Sequence, residues 1–174
     1  QRITPAGEPG YWLEIIMNVL FCSYGNDSIA LIQWAHERNL KDVVCLYSDT
    51  GWSASWWSER VVQGEKLAQA YGFVTERTKS EGMLALVKRK CGWPGAGGQG
   101  QFCTAELKVI PALKWLEIND PEQEAAALTG VRRSESKHRS NAAEHVTNSE
   151  RHGGRELWQP LVRHTDEMRD ALIR

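Results

Sequence analysis

The chain has 174 residues, a mass of 19.7 kDa and a formal net charge of −1, with 41% hydrophobic and 25% charged residues. These values exclude a disordered chain, a small disulfide-stapled scaffold and a strongly basic protein, and they suit one domain with a substantial core. No apolar run approaches the roughly 18 residues of a membrane helix, so we expect no membrane association. Met17 directly precedes the first strand-like run, so we interpret residues 1–16 as an N-terminal extension, upstream of or foreign to the fold, and residues 17–174 as a single domain.

Apolar runs and turn residues alternate along the chain in a way that predicts strands and helices in succession. Strands are predicted over 17–22, 42–47, 73–78 and 125–130. Helices are predicted from Asn26 to Asn39, from Ser53 or Ser55 to Ala70, and over 81–90, 104–116 and 166–173, with an interruption at Pro111 and a glycine-rich loop over 91–100. The alternation favours an α/β fold, a Rossmann-like parallel sheet with helices on both faces, in which ligands bind at the carboxyl ends of the strands.

The turn between the first predicted strand and helix combines small and polar residues, which are Ser23, Tyr24, Gly25, Asn26, Asp27 and Ser28. Backbone N–H groups at a helix start, together with two serine hydroxyls, suit a phosphate, whereas the same residue types also cap helices without any ligand. A carboxylate repels a bare phosphate. Asp27 therefore indicates either a Mg²⁺ shared with a polyphosphate or a purely structural cap.

A second turn, Ser48-Asp49-Thr50-Gly51, follows the second predicted strand. Read locally, Asp49 accepts backbone N–H groups and Gly51 takes a conformation closed to other residues. Its place at the carboxyl end of a strand also suits recognition of an adenine edge near Ser48 and of a ribose or metal at Asp49. Three tryptophans come next, with rings suited to stacking on a base or covering a pocket: Trp52, Trp56 and Trp57.

The helix start after the glycine-rich loop carries a thiol, Cys103, and an amine, Lys108. Such a start attracts anions, although a lone lysine is most often a solvated surface charge. It also favours a thiolate, which makes Cys103 the best candidate for a reactive thiol, while burial is the commoner state of cysteine. Eleven residues separate Cys91 from Cys103 and no C-x-x-C pair occurs, so no iron–sulfur cluster is expected. The other two cysteines lie within apolar strands, which favours reduced thiols and a cytoplasmic protein.

Positive charge is concentrated over residues 131–155, where six Arg or Lys face three Glu. Arginine binds phosphate or sulfate through two parallel hydrogen bonds. Arg132, Arg133 and Arg139 are therefore candidate anion ligands, with a solvated loop paired to glutamates as the alternative. The histidines of this region match no structural zinc spacing and are interpreted as anion contacts or surface residues: His138, His145 and His152.

Four motifs, taken in chain order, resemble those of the phosphoadenylyl sulfate (PAPS) reductase family within the adenine nucleotide alpha-hydrolase-like superfamily. The segment SYGNDS, Ser23 to Ser28, is similar to the S-G-G-x-D-S pyrophosphate loop, and Asp49-Thr50-Gly51 is similar to the D-T-G of the family. Cys103 to Pro111 resembles the C-x-x-x-x-K-x-x-P helix start, and Gly130 to Arg139 resembles the G-x-R-x-x-E-S-x-x-R segment. The resemblance spans residues 17–164.

The chain departs from the family pattern at two points. Tyr24 replaces the first glycine of the pyrophosphate loop. No cysteine follows Cys103, whereas thiol-using PAPS reductases carry a catalytic cysteine in a C-terminal E-C-G-x-H segment. A reductase reaction in this chain therefore needs a thiol from elsewhere.

The resemblance implies an enzyme of sulfur metabolism or sulfur transfer that binds ATP or PAPS and acts at the alpha-phosphate or the sulfate. It assigns catalysis to Lys108, Arg132, Arg139 and Cys103. It assigns nucleotide binding to Ser23 through Ser28, Ser48, Asp49, Gly51 and Arg133, and Mg²⁺ to Asp27. The alternatives are an ATP pyrophosphatase subunit of a nucleic-acid sulfur-modification system and a nucleotide-binding module without turnover. Expected partners are a thiol-donor or sulfur-transfer protein, a nucleic acid, and further copies of the chain in a homo-oligomer.

Overall fold

The computed structural model describes residues 17–95, 100 and 102–174. The predicted N-terminal extension, residues 1–16, lies outside the described residues, as do 96–99 and 101 of the glycine-rich region and its border. No helix within the described part of the chain is long and apolar enough to cross a membrane.

The described chain contains six strands and six α-helices, which alternate only over its first half. The strands are β1 (Asn18–Cys22), β2 (Val43–Asp49), β3 (Val74–Lys79), β4 (Ala126–Thr129), β5 (His145–Ser149) and β6 (Arg155–Trp158). The helices are α1 (Asn26–Glu37), α2 (Trp57–Ala70), α3 (Met83–Lys90), α4 (Phe102–Thr104), α5 (Ile110–Asn119) and α6 (Asp166–Leu172). Short 3-10 turns cover Arg133–Glu135, Lys137–Arg139 and Glu150–His152.

The strands form one sheet in the order β3-β2-β1-β4-β6-β5. All neighbouring pairs are parallel except β5 with β6, which is antiparallel. The α/β prediction is confirmed, with one difference at the sheet edge. The basic region 131–155 contains β5 and ends at the first residue of β6. Neither strand was predicted, because their residues are mostly polar and their stability comes from pairing with other strands.

Helices cover both faces of the sheet, as predicted. On one face, Leu20 of β1 and Cys45 of β2 pack with Leu31 of α1 and Val61 of α2. On the other face, Val19 of β1 and Leu46 of β2 pack with Ala112 and Leu116 of α5. Because β1 and β2 are buried on both faces, their residues form nearly continuous apolar runs, which explains why the sequence revealed them.

The sheet has a topological switch between β1 and β4. From β1 the chain continues to β2 and β3 on one side, and it then crosses to β4 on the other side of β1. Loops leaving the carboxyl ends of β1 and β4 therefore diverge and leave a crevice, which is where ligands bind in open α/β sheets.

A π-helical turn, Ala105–Val109, connects α4 to α5. Pro111 stands at the start of α5 and has no backbone N–H for the usual helical hydrogen bond, so the interruption predicted at Pro111 takes the form of this wider turn. The π turn carries Lys108 to the carboxyl end of β2, where the Ser48 hydroxyl donates to the carbonyl oxygen of Lys108 at 3.4 Å.

Candidate functional site

A cavity of about 680 Å³ opens at the carboxyl ends of β1, β2, β4 and β6. Its floor contains apolar side chains from the α5 side of the sheet, namely Phe21, Leu46 and Ala112. Indole rings of Trp52 and Trp57 line it beside β2, and Trp52 is 52% exposed. A concave, partly aromatic pocket at a topological switch is the typical location of a small-molecule site.

The charge lining this cavity has one sign. Lys108, Arg139 and Arg151 line it, and none of its lining residues in the described chain is an aspartate or glutamate. Lys108 is exposed and makes no ion pair with any described residue. Arg139 pairs with the Glu135 carboxylate, four residues earlier, which holds the guanidinium at the wall. An anionic ligand is therefore favoured here.

The turn between β1 and α1 contributes only part of its residues to the cavity. Ser23 lines it, and the Ser28 hydroxyl accepts from the Ser23 N–H at 2.9 Å, which closes the turn. No side chain caps the start of α1 in the described chain, and Gly25 occupies the N-cap position. The first backbone N–H groups of α1 therefore donate no hydrogen bond to a capping side chain, and their use by a phosphate stays a prediction.

Two residues of this turn point their side chains elsewhere. Tyr24 is fully buried with its ring against Tyr47, at a centroid distance of 5.7 Å. The backbone of Tyr24 has a φ of +57°, the left-handed conformation that glycine adopts most easily, so the chain keeps the backbone shape of a glycine at this position. Asn26 accepts through Oδ1 from the Arg60 guanidinium at 2.6 Å. Neither side chain is among the cavity-lining groups.

Asp27 and Arg132 form an ion pair behind the turn. The Arg132 Nε donates to Asp27 Oδ1 at 2.6 Å, and its other nitrogens donate to Ser134 and Asp166 at 2.9 and 2.8 Å. Arg132 is only 3% exposed, and Arg169 of α6 lies 3.6 Å from the same Asp27 oxygen. The structure thus places both predicted site residues in a network that ties α1 to α6, and neither lines the cavity.

Gly130, directly after β4, lies close to the backbone of Asp27. A Cβ on Gly130 would lie 2.7 Å from the carbonyl oxygen of Asp27, which is closer than real Cβ atoms approach. The glycine of the fourth motif therefore permits the backbone directly after β4 to contact the start of α1. Arg133, the residue after Arg132, makes a different contact. Its guanidinium donates twice to the carbonyl oxygen of Ala142, at 2.9 and 2.8 Å, and Arg133 does not line the cavity.

The turn after β2 has the local structure that its residue types predict. Asp49 Oδ1 accepts from the Gly51 N–H at 2.9 Å, and Gly51 has a φ of +61°. Ser48 lines the cavity and its hydroxyl accepts from Thr78 at 3.0 Å, whereas Asp49 and Gly51 are not among the lining residues. The side chain of Asp49 thus orders the turn, and Ser48 and Thr50 meet the cavity.

The described cysteines supply no thiolate to the cavity wall. Cys103 is half-buried in α4 and does not line the cavity. Cys22 does line it, but the neighbouring Cys45 and burial raise the pKa of the Cys22 thiol well above its usual value. Cys22 is therefore a protonated thiol at neutral pH and a weak nucleophile.

Arginines surround the predicted magnesium ligand, Asp27, and Mg²⁺ binding there stays a prediction. Mg²⁺ binds carboxylate oxygens that remain available to it. Asp27 Oδ1 accepts a hydrogen bond from the Arg132 Nε and lies near Arg169, which makes this oxygen less available to Mg²⁺. In the described part of the chain, no three His, Cys, Asp or Glu side chains are grouped as metal ligands.

The polar lining residues outside the set of predicted site residues are Thr50, Ser53, Thr129, His138, Ser149, Arg151, His152 and Gln159. The last four come from the end of β5, the turn between β5 and β6, and the residue after β6. His152, expected to be an anion contact or a surface residue, lines the cavity. Its ring lies 4.8 Å from the Phe21 ring between centroids, and its Nδ1 shares a 2.8 Å hydrogen bond with the Ser149 hydroxyl. The tryptophans after β2 were the one sequence signal for the aromatic wall.

Stability is expected to depend on pH through His152. Burial, with smaller effects from Arg151 and Arg155, lowers the pKa of His152 from 6.5 to about 4. Between these two values the unfolded chain binds a proton that the folded chain rejects, so the free energy of unfolding falls as the pH drops from about 6.5 to about 4. The loss attributable to this group is about 3 kcal/mol at most.

Urea unfolding of the wild type and of a His152→Gln variant, at pH 7 and at pH 4.5, measures this contribution. We expect the wild type to lose more stability than the variant over that interval, because glutamine does not titrate. Equal losses in both proteins would contradict a depressed pKa at His152.

Fold and cavity together define an α/β protein with a cationic crevice at its topological switch. The sequence model of the phosphoadenosine phosphosulfate reductase domain matches residues 17–174. The chain belongs to the PAPS reductase family. Its fold is similar to the crystal structure of phosphoadenylyl-sulfate reductase from Candida auris in a phosphate complex, with a TM-score of 0.60, 18% identity, and coverage of 92% of this chain and 72% of that chain. A search of curated proteins found no match.

Proposed function

We propose that the chain binds an adenine nucleotide in the 680 Å³ cavity and acts, as a PAPS reductase-family enzyme, on a sulfate carried by that nucleotide. The observation that carries the proposal is the charge of the cavity wall. Lys108, Arg139 and Arg151 line the cavity, and none of the described lining residues is an aspartate or glutamate. Such a wall neutralises phosphate and sulfate groups directly and stabilises negative charge that builds up on a leaving group.

The shape of the cavity supports a base at one end and anionic groups at the other. Trp52 and Trp57 offer aromatic faces beside the turn after β2, where a purine would stack. Ser23, in the turn between β1 and α1, and the three cations offer hydrogen-bond donors to phosphate oxygens. Asp27, paired with Arg132, acts in this proposal as a support of the turn.

These features favour PAPS over a Mg²⁺ complex of ATP. Mg²⁺–ATP needs a carboxylate or several ordered waters near the phosphates, whereas PAPS needs direct cationic contacts. In the reductive reaction a thiolate attacks the sulfur, the bond from sulfur to the phosphate oxygen breaks, and adenosine 3′,5′-bisphosphate leaves. A second thiol then releases sulfite and forms a disulfide. Because Cys22 is protonated and Cys103 lies outside the cavity wall, we assign both thiols to a thiol-donor protein.

A nucleotide-binding module without turnover is the second candidate, and the same observation on the cysteines favours it. The two candidates differ in one result. An enzyme releases sulfite from PAPS when a dithiol protein such as a reduced thioredoxin is added, whereas a binding module binds the nucleotide and releases none.

Calorimetric titration tests the choice of ligand. We expect PAPS and adenosine 3′,5′-bisphosphate to bind without added metal, and we expect Mg²⁺ not to strengthen the binding of ATP. Binding of ATP that requires Mg²⁺ would contradict the PAPS assignment and indicate an adenylating pyrophosphatase. Binding of none of these ligands would contradict the nucleotide site.

A further inference from the structure

Helix α2 holds the turn between β1 and α1 through one guanidinium. Arg60 Nε donates to the carbonyl oxygen of Tyr24 at 2.7 Å, and its Nη2 donates to Asn26 Oδ1 at 2.6 Å. These two acceptors lie on either side of Gly25, the N-cap residue of α1. The planar guanidinium therefore spans the turn with two hydrogen bonds of fixed relative direction.

The same face of α2 also receives the Tyr24 ring. A Cβ on Gly64 would lie 2.3 Å from a ring carbon of Tyr24, so the ring occupies space that only a glycine leaves free. Arg60 and Gly64 are four residues apart and thus neighbours on one helix face. One face of α2 accordingly fixes both the ring and the carbonyl group of Tyr24, whose left-handed backbone is otherwise unfavourable for a residue with a Cβ.

Arg60 is connected to the cavity through its neighbours only. Its guanidinium carbon lies 5.6 Å from the ring centre of Trp57, which lines the cavity, while Arg60 itself does not line it. No carboxylate of the described residues forms an ion pair with Arg60. Its positive charge therefore remains beside the start of α1 and adds to the attraction for anions there.

We propose that Arg60 is a positioning residue, which holds Tyr24 and Asn26 so that the turn is ordered before the ligand arrives, and which orients Trp57. Ordering a binding loop in advance lowers the entropy cost of binding. The nature of the ligand rests on the proposed function, but the ordering of the turn does not.

Amide hydrogen exchange without ligand tests the ordering. In an Arg60→Gln variant we expect the amides of residues 24–28 to exchange about tenfold faster, with exchange in the central strands unchanged. Arg60→Lys, which keeps the charge but cannot span both acceptors, should show a smaller increase and serves as the readout if the glutamine variant does not fold. Arg38→Gln is the matched control, because Arg38 also faces an indole ring, Trp34, at 5.8 Å. Unchanged exchange at residues 24–28 in both Arg60 variants would overturn the proposal.

Titration with adenosine 3′,5′-bisphosphate tests the consequence for binding. We expect the dissociation constant to rise about tenfold in Arg60→Gln, less in Arg60→Lys, and not in Arg38→Gln. Affinities equal to wild type in both Arg60 variants would overturn the positioning role. Failure of the wild type itself to bind would contradict the proposed function instead, and the exchange measurement would still decide the role of Arg60.

Discussion

Replacing Arg155 with methionine is expected to lower the free energy of unfolding by about 3–5 kcal/mol, because it leaves a buried carboxylate without its cation. Arg155 and Asp120 are 3% and 7% exposed, and the Arg155 Nε donates to Asp120 Oδ2 at 2.5 Å. Arg155 also donates to the carbonyl oxygens of Leu116 and Asp120, at 3.3 and 2.5 Å. The guanidinium thereby joins β6 to the end of α5, and methionine replaces none of these hydrogen bonds.

Urea unfolding at pH 7 measures this loss. Arg163→Met is the control, since Arg163 is 74% exposed and its nitrogen lies 3.5 Å from the Glu144 carboxylate, a distance and exposure at which an ion pair contributes about 1 kcal/mol or less. A loss at Arg155 no larger than the loss at Arg163 would show that the buried pair does not stabilise the fold.

Replacing Lys108 with glutamine is expected to weaken the binding of adenosine 3′,5′-bisphosphate by roughly 10- to 100-fold, the value of one charged hydrogen bond to a phosphate. Lys108 lines the cavity, and no described residue forms an ion pair with it, so its full charge is available to a ligand. Arg139→Gln should have a smaller effect, because the Arg139 guanidinium already shares its charge with Glu135.

Calorimetric titration of Lys108→Gln, Arg139→Gln and Lys114→Gln with adenosine 3′,5′-bisphosphate measures these changes in affinity. Lys114 is an exposed lysine of α5 outside the cavity lining, so its replacement should leave the affinity unchanged. The thermal midpoints of all three variants should remain near that of the wild type, because exposed cations contribute little to stability. An affinity of Lys108→Gln equal to that of Lys114→Gln would remove Lys108 from the site.

Most of the sheet could be predicted from local sequence. β1 and β2 are short apolar runs followed by polar turns, and α1 begins directly after the first of these turns. These signals are strong because burial on both faces demands apolar residues at successive positions. β5 was not predictable in this way. Its partner β6 supplies its hydrogen bonds, and His145 stacks on Trp158 at a centroid distance of 4.1 Å, a contact between residues of two different strands.

The sequence by itself determined the family, the strands and main helices up to β4, and the segments that surround the cavity on that side, because motif residues and apolar runs are properties of neighbouring positions. The roles of individual charges were decided by the tertiary structure alone. Arg132 and Arg139 belong to one motif, yet Arg132 is 3% exposed and paired with Asp27, while Arg139 lines the cavity. An arginine acts on a ligand or supports the fold according to the carboxylates that packing brings within reach, and those carboxylates come from distant elements such as α1 and α6.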